Sequence, residues 1–372
     1  MSALKVRPVL SKADEKRFIK FQWVPYRGNP YWVPPLLMDR RKLIDRKNNP
    51  FYRHAAMEMF VAERDGAVVG RIAAIVNDNH NKEHGENIGF FGFFECLDDQ
   101  TAANALFDAA VQWLTPRGVT AVRGPASPSV NDEYGLLIEG FDRLPAVLMS
   151  YNPPYYQRLV ESYGFTKAQD LYAYYIHKDK VFNERFSRIA EIVNKRESLK
   201  IRQLDMSRYN EEVRLIRDLY SRGWSRNWGE VPMTDEEFDY VAKDLKPVID
   251  ARLVIIAESK GKPVGFGMTL PDLNQILVHN KRGWLIPALC RMLLFKKKID
   301  RVRIIILGVL PEYANTGIGA ALFHETGRRC VAHGYPHGEA SWVNEDNVMM
   351  NRGAELMQGI IDKRYRVYQK QL

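Results

Sequence analysis

"AERDGAVVG" at residues 62–70 and "AESKGKPVG" at residues 257–265 carry Ala, Glu, Gly, Val and Gly at the same places. The second reads as a β-hairpin with its turn at Gly261, since glycine enters the conformations of a tight turn without a Cβ penalty. The offset is 257 − 62 = 195, and it recurs. Leu4-Lys5-Val6-Arg7 returns as Leu199-Lys200-Ile201-Arg202, and Asn152 with Gly164 returns as Asn347 with Gly359. Three ungapped coincidences at one register mark a duplicated domain. In mid-unit the register moves: Ala105-Leu106-Phe107 matches Ala321-Leu322-Phe323 at 321 − 105 = 216. The second copy therefore holds 216 − 195 = 21 additional residues before that helix, within 274–298, and the first holds as many after it, within 125–147.

Both copies predict the same element order. A short strand (4–8; 199–203) and an amphipathic helical stretch (11–24; 206–222) precede the hairpin (58–77; 252–270). A strand (88–95; 302–310), a helix (99–116; 317–333), a strand (119–124; 338–343), a helix (152–163; 346–357) and a Tyr-rich strand (170–177; 364–370) follow. Strands rest on β-branched runs such as "VRIIILGV", helices on spacing such as Leu106, Ala109, Ala110, Trp113. The expected fold is α/β, two tandem domains over 1–180 and 199–372, each a mixed twisted sheet flanked by helices. A linker helix is expected at 181–198.

The length of 372 residues suits two medium domains, and the 46% hydrophobic and 27% charged content suits a folded chain. No apolar run is long enough for a transmembrane span, and "MSALKVRPVLSKADEKRF" lacks the apolar core of a secretory signal, so a cytoplasmic location is expected. Cys96, Cys290 and Cys330 read as reduced, buried thiols. The net charge of +9 favours an anionic partner: a phosphate-bearing cofactor, a nucleic acid or a lipid headgroup.

After the strand "RVRIIILGVL" comes "PEYANTGIGAALFHETGRRC". A strand, a short loop with Gly317 and Gly319, then a helix can form an anion site, because glycines admit close approach and free helix N–H groups face the ligand. A merely tight turn is the plain alternative. The element order and this loop together resemble the GNAT superfamily of acyl-CoA-dependent N-acyltransferases, whose pyrophosphate loop reads Arg/Gln-x-x-Gly-x-Gly/Ala. Gly317-Ile318-Gly319 fits that loop, and "SWVNEDNVMMNRGAELMQG" (341–359) fits the strand and helix after it, with Asn347 at the family's Asn. The first copy's "NPPYYQRLVESYGF" (152–165) fits as well. The resemblance covers both halves and implies a tandem protein.

The resemblance implies acetyl-CoA, or another acyl-CoA, held by Asn315, Thr316, Gly317, Ile318, Gly319 and Ala320. It also implies that a backbone N–H at Val309 or Leu310 holds the donor carbonyl. Two positions depart from the pattern. Ala314 stands where the loop's Arg/Gln belongs, and Ala354 and Glu355 cover the family's Tyr, which protonates the leaving thiolate. Tyr365 or Tyr368 is a candidate substitute. Aligned through Ala105-Leu106-Phe107, the first copy puts Thr101 and Ala103 at the glycines and Asp98 at Ala314, beside Glu95 and Asp99. Carboxylates there stabilise a helix but repel a pyrophosphate. The first copy is expected to keep the fold and not the cofactor.

Acyl transfer to an amine requires a polarised carbonyl, a base and a stabilised thiolate. Glu339 and Glu345 are the candidate bases. Glu339 reads equally as an outward strand residue, Glu345 and Asp346 as charges at a helix start, and Asn347 as a helix cap or a ligand of the pantetheine arm. "HNKEH" (80–84) spells a zinc-protease pattern, but it lies in a polar stretch between strands with no third ligand, and no metal is expected. "GWLIPALCRMLLFKKK" (283–298) reads as a helix covering the sheet beside an acceptor groove, as a lid for a hydrophobic acceptor, or as a membrane-surface contact. "RGNPYWVPPLL" (27–37) reads as a structural belt or part of a cleft, and "GPASPSVNDEYG" (124–135) as a loop for acceptor binding or a domain interface.

Three functions remain open. The first is an N-acetyltransferase acting on a small-molecule or peptide amine. The second takes an aminoacyl group from charged tRNA, which the +9 charge suits and the retained glycine loop opposes. The third is a non-catalytic module that binds CoA or a protein.

Overall fold

The computed structural model describes residues 3–181, 184–223 and 228–372. Contacts divide the chain into two compact units. Unit 1 takes the described residues up to Asp170 together with Leu277–Arg291 and Arg364–Leu372; unit 2 takes Leu171–Ile276 and Met292–Lys363.

The repeated hairpin is built twice in the same detail. Strands Ala55–Arg64 and Ala67–Asn77 turn at Asp65 and Gly66, strands Val254–Ser259 and Lys262–Pro271 at Lys260 and Gly261, and all four turn residues have positive φ. Positive φ at both central residues is the two-residue turn whose twist matches paired strands. One register shift falls between Ala62 and Glu63, and its counterpart between Ala257 and Glu258. The bulge itself is duplicated.

In unit 1 the strands run in the order Lys5–Pro8, the hairpin pair, Ile88–Cys96 and Ala121–Gly124, with a parallel step between the last two. Helix Gln100–Leu114 buries Ala102, Ala103, Leu106, Phe107, Ala110 and Leu114, the stripe its period predicts. That stripe packs with Phe91, Phe94, Tyr156 and Phe165. In unit 2 the order repeats as Leu199–Gln203, the second hairpin, Arg301–Val309 and His337–Asn344, again with a parallel final step. Helix Ile318–Ala332 covers one face through Ile318, Ala321, Leu322 and Phe323. Helix Tyr209–Gly223 covers the other through Ile216, Leu219 and Tyr220 against Ile256 and Phe266.

The last strand of each copy departs from the expected boundaries. Residues Leu171–His177, which end the first copy, pair with His337–Asn344 in unit 2. Residues Tyr368–Gln371, which end the second, pair with Ala121–Gly124 in unit 1. The copies exchange their final strands, so each unit's sheet is completed by the other copy's tail. The linker helix forms over Glu184–Arg196 and sets Phe186, Ala190 and Val193 into the unit 2 core.

Other expectations change. The "HNKEH" stretch is helical, over Asp78–His84, where a strand connection was expected. His80 is buried there, with Nε2 3.1 Å from Glu86 and its ring edge-on to Phe90, and burial lowers it to about 4. No group of three or more His, Cys, Asp or Glu among the described residues could hold a metal ion. Cys96 and Cys330 are buried, but Cys290 is exposed. No helix among the described residues is long and apolar enough to cross a membrane.

Candidate active site

In unit 2 the parallel strands Arg301–Val309 and His337–Asn344 pair only from Arg301–His337 to Ile304–Ala340. Beyond that point both strands continue without pairing to each other, so they part. The next elements start at this open end: the glycine loop with helix Ile318–Ala332, and helix Val348–Leu356. Ligands gather at the carboxyl ends of parallel strands, where helix N-termini converge.

The hydrogen-bond phase of Arg301–Val309 decides which backbone groups face the gap. The Leu310 N–H donates to the Val264 carbonyl at 2.8 Å, so Leu310 is spent on the neighbouring hairpin strand. Bonded and non-bonded pairs alternate in an antiparallel ladder. Val309, opposite Gly265, and Leu307, opposite Gly267, therefore turn their N–H and C=O groups to the other edge, where the strands have parted. Of the two carbonyl-holding candidates, Val309 has the geometry and Leu310 does not.

The loop is held by short-range bonds. Thr316 Oγ1 donates to the Tyr313 carbonyl at 2.7 Å and accepts from the Ile318 N–H at 3.3 Å. Gly317 caps the helix at φ 82°, and Ile318 is buried in the core. The amides of Gly319 and Ala320 lie in the first turn, where a helix supplies no acceptor. A Cβ built on Gly319 meets no heavy atom within 4 Å, so the space above it is open. Asn315 is exposed. Ala314 leaves the loop without its own cation, but the linker helix brings Arg196, which donates to the Thr316 carbonyl and pairs with Glu197 at 2.8 Å.

Asn347 is the N-cap of helix Val348–Leu356, its side-chain oxygen accepting from the Met350 N–H at 3.1 Å. Glu345 follows the last residue of its strand at the open end and is half-buried. Glu339 is not an outward strand residue: it is 1% exposed at the closed end, opposite Arg303. It accepts from Ser341 Oγ at 2.8 Å, with Lys363 Nζ 3.8 Å away, while Arg303 donates to Ser341. Beside it Arg301 holds Asp272 at 2.7 Å, whose carboxyl burial pushes up.

Tyr368 is placed elsewhere. It belongs to unit 1, buried in that core and donating to Glu161 at 2.8 Å; Tyr365 belongs to the same unit. Tyr174, on the exchanged strand, enters unit 2 instead. It stands opposite Ala340, the last residue before the strands part, and its hydroxyl donates to Asn351 Oδ1 at 2.8 Å. The tyrosine run reads as a strand from its sequence, and nothing local in it shows which sheet it joins.

The matching helix start in unit 1 is occupied by its own side chains. Asp99 caps helix Gln100–Leu114 by accepting from Ala102 N–H at 3.1 Å and pairs with Arg64. Asp98 pairs with Arg158. Glu95 does not face this helix start at all. It is buried, 3.5 Å from Arg71, and accepts from Tyr156 at 2.7 Å; burial raises it to about 7. Glu133 of the 124–135 loop pairs with the buried Arg40.

The profile of the Acetyltransferase (GNAT) family matches residues 213–352. "Bacterial ceramide synthase" of Caulobacter vibrioides is 38% identical over 383 aligned positions, covering 99% of this chain and 98% of that protein. The chain belongs to the GNAT family. "Protein YghO" of Escherichia coli is 35% identical over 99% of this chain and 95% of its own length. A solved tandem GNAT protein from the clavulanic acid biosynthesis pathway superposes at a TM-score of 0.57, over 99% of this chain and 98% of that one, at 12% identity. That likeness shows the fold: two GNAT-like units in tandem.

Proposed function

We propose that this GNAT protein is an acyl-CoA-dependent N-acyltransferase that forms a fatty amide on a long-chain amino alcohol, with its cofactor in unit 2. The observation that carries the reading is the pair of parting strands, which end at a glycine loop with open space above Gly319. A diphosphate seats on the Gly319 and Ala320 amides, with Arg196 standing in for the side chain that Ala314 lacks. The pantetheine arm runs along the Leu307–Val309 edge. The acyl group is fatty acyl rather than acetyl. A relative matching this chain end to end is named a ceramide synthase, and a ceramide is the fatty amide of a long-chain amino alcohol.

Acyl-CoA, when bound, supplies the thioester. The amine nitrogen attacks the thioester carbonyl carbon, the Val309 N–H holds the oxyanion, and the C–S bond breaks to give amide and CoA thiolate. Glu345 takes the proton the amine loses, since it stands at the open end while Glu339 is buried and engaged. Tyr174 protonates the thiolate in place of the missing helix tyrosine. Unit 1, with its helix start closed by Asp99, shapes the fold without holding a cofactor.

The test incubates the purified chain with sphinganine and either palmitoyl-CoA or acetyl-CoA, reading free thiol and amide mass. The expected result is one CoA released per fatty amide, with acetyl-CoA a poor donor. Thiol release with acetyl-CoA alone would overturn the fatty-acyl assignment. No release with either donor would overturn the amine class.

A further inference from the structure

Helix Leu285–Phe295 turns the usual arrangement of a surface helix outward. Its inner side carries Ala288, 1% exposed. Its outer side carries Ile286, Leu289, Leu293 and Leu294, which are 74%, 48%, 85% and 73% exposed. Ile286, Leu289 and Leu293 fall at helical spacings of three and four, and Leu294 widens the same side, so they form one stripe. Of the three readings of this segment, the exposed apolar face fits a surface contact better than a cover for the sheet.

The start of the helix is held within unit 1. Leu37 N–H donates to the Gly283 carbonyl at 2.9 Å, and Trp23 Nε1 donates to the Lys281 carbonyl at 2.9 Å. The buried Asn280 donates from Nδ2 to the Trp284 carbonyl at 2.8 Å. The proline belt at 27–37 thus anchors the helix start, with Trp23 edge-on to Trp32 and Trp32 stacked on Tyr26. At the other end Ile299 is buried.

Charge frames the stripe. Residues 273–299 hold Lys281, Arg282, Arg291, Lys296, Lys297 and Lys298 and not one Asp or Glu. Lys281 and Arg282 precede the stripe, Lys296, Lys297 and Lys298 follow it, and all five are exposed. Arg282 lies over the Trp284 ring at 4.9 Å and Lys298 over Phe295 at 5.0 Å. An aromatic with a cation at each end of an apolar stripe suits a headgroup layer, where the ring meets acyl chain and the cation meets phosphate. Eleven residues rise about 16 Å, about half a bilayer core, so this helix lies on a membrane and does not cross it.

We infer that this helix docks the protein on an anionic bilayer surface, with Ile286, Leu289, Leu293 and Leu294 entering the acyl boundary and the flanking cations on lipid phosphates. A partner protein would meet the apolar stripe with apolar surface but gives no reason for cations at both ends of a segment that carries no acid of its own. The inference stands on the helix and holds whatever the acceptor proves to be.

The test is flotation of the full chain with vesicles of phosphatidylcholine alone or with phosphatidylglycerol. Wild type should float with the anionic vesicles and stay behind with the neutral ones. Leu293→Glu with Leu294→Glu should lower the bound fraction about tenfold or more, and Lys296→Glu with Lys297→Glu and Lys298→Glu should do the same. Both sets change exposed side chains, so thermal midpoints should hold. A fluorophore on Cys290, the one exposed cysteine of the three, should shift to the blue only with anionic vesicles. Flotation unchanged in both variants, or absent in wild type, would overturn the assignment. So would a dimer in sedimentation that the leucine variant splits while wild type ignores vesicles, since the stripe would then be covered by a second copy.

Discussion

Replacing Gly319 separates the cofactor from the fold, because the two should respond with opposite signs. A Cβ at Gly319 meets nothing within 4 Å, so a side chain can leave the helix there without a clash at its first atom. The site is in the first helical turn, where leaving glycine gains about 0.5 kcal/mol of helix propensity and an acidic side chain about 0.3–1 kcal/mol from the dipole. The variant should melt at the wild-type temperature or slightly above. Its carboxylate, however, occupies the space a diphosphate needs. Two unit charges about 5 Å apart repel by about 3 kcal/mol at an effective dielectric of about 20, and solvent screening at this half-buried position leaves about 1–2 kcal/mol. Acyl-CoA affinity should fall about five- to thirtyfold. Gly319→Ala, which adds only the methyl, should retain stability with a smaller loss. Calorimetric titration with acyl-CoA, beside a thermal scan, reads both quantities. Wild-type affinity in the Glu variant would refute the placement of the diphosphate on this loop, and a lowered melting temperature would refute the claim that the space is open.

Gly317→Ala should behave in the opposite way: the residue has φ 82° and its added Cβ would lie 2.9 Å from Val193, so stability should fall by about 1–2 kcal/mol in denaturant titration. Tyr174→Phe should lower kcat at least tenfold with KM little changed, and Glu345→Gln should lower kcat by a similar factor; steady-state kinetics checks both. Glu95 makes unit 1 sensitive to pH. Burial raises its carboxyl from its ordinary 4.5 to about 7, against the opposing pull of Arg71, so between those values the folded protein holds a proton that the unfolded chain has released. Stability should therefore fall as pH rises through that window, by up to the order of 3 kcal/mol, and Glu95→Gln should flatten the slope in denaturation at pH 5 and pH 7.5.

The duplicated fold was legible because local chemistry writes it twice. Asp65-Gly66 and Lys260-Gly261 fix two turns of one type, and the helices at 100–114 and 318–332 show their core stripes at matching positions. The strand exchange was not legible. A Tyr-rich strand such as 170–177 satisfies either sheet, and only tertiary packing assigns Tyr174 to unit 2 and Tyr368 to unit 1. Glu95 was misread for a different reason. Arg71 pairs with Glu95 but Ala73 with Gly92, so the strand carries an extra residue, and Phe93 stands at φ 49°. The bulge breaks the alternation that would set Glu95's face and turns it from the helix start toward Arg71 and Tyr156. The loop's chemistry was legible in Gly317 and Gly319, but its cation was not, since Arg196 lies 120 residues from the Thr316 it contacts.

The two copies begin the same helix after the same strand and differ in what fills its N-terminus. Unit 1 spends a carboxylate there: Asp99 satisfies the Ala102 N–H and holds Arg64, an arrangement worth about 1 kcal/mol to the helix. Unit 2 starts the helix two residues later in the register of the shared core stripe, at Gly317, with no side chain to cap it. It forgoes that stabilisation and leaves the Gly319 and Ala320 amides for an anion from outside. The amides left uncovered at this helix start are the argument for proposing the cofactor in the second copy, and Gly317→Asp, strained at φ 82° and crowded by Val193 like the alanine variant, should lose stability and acyl-CoA affinity together.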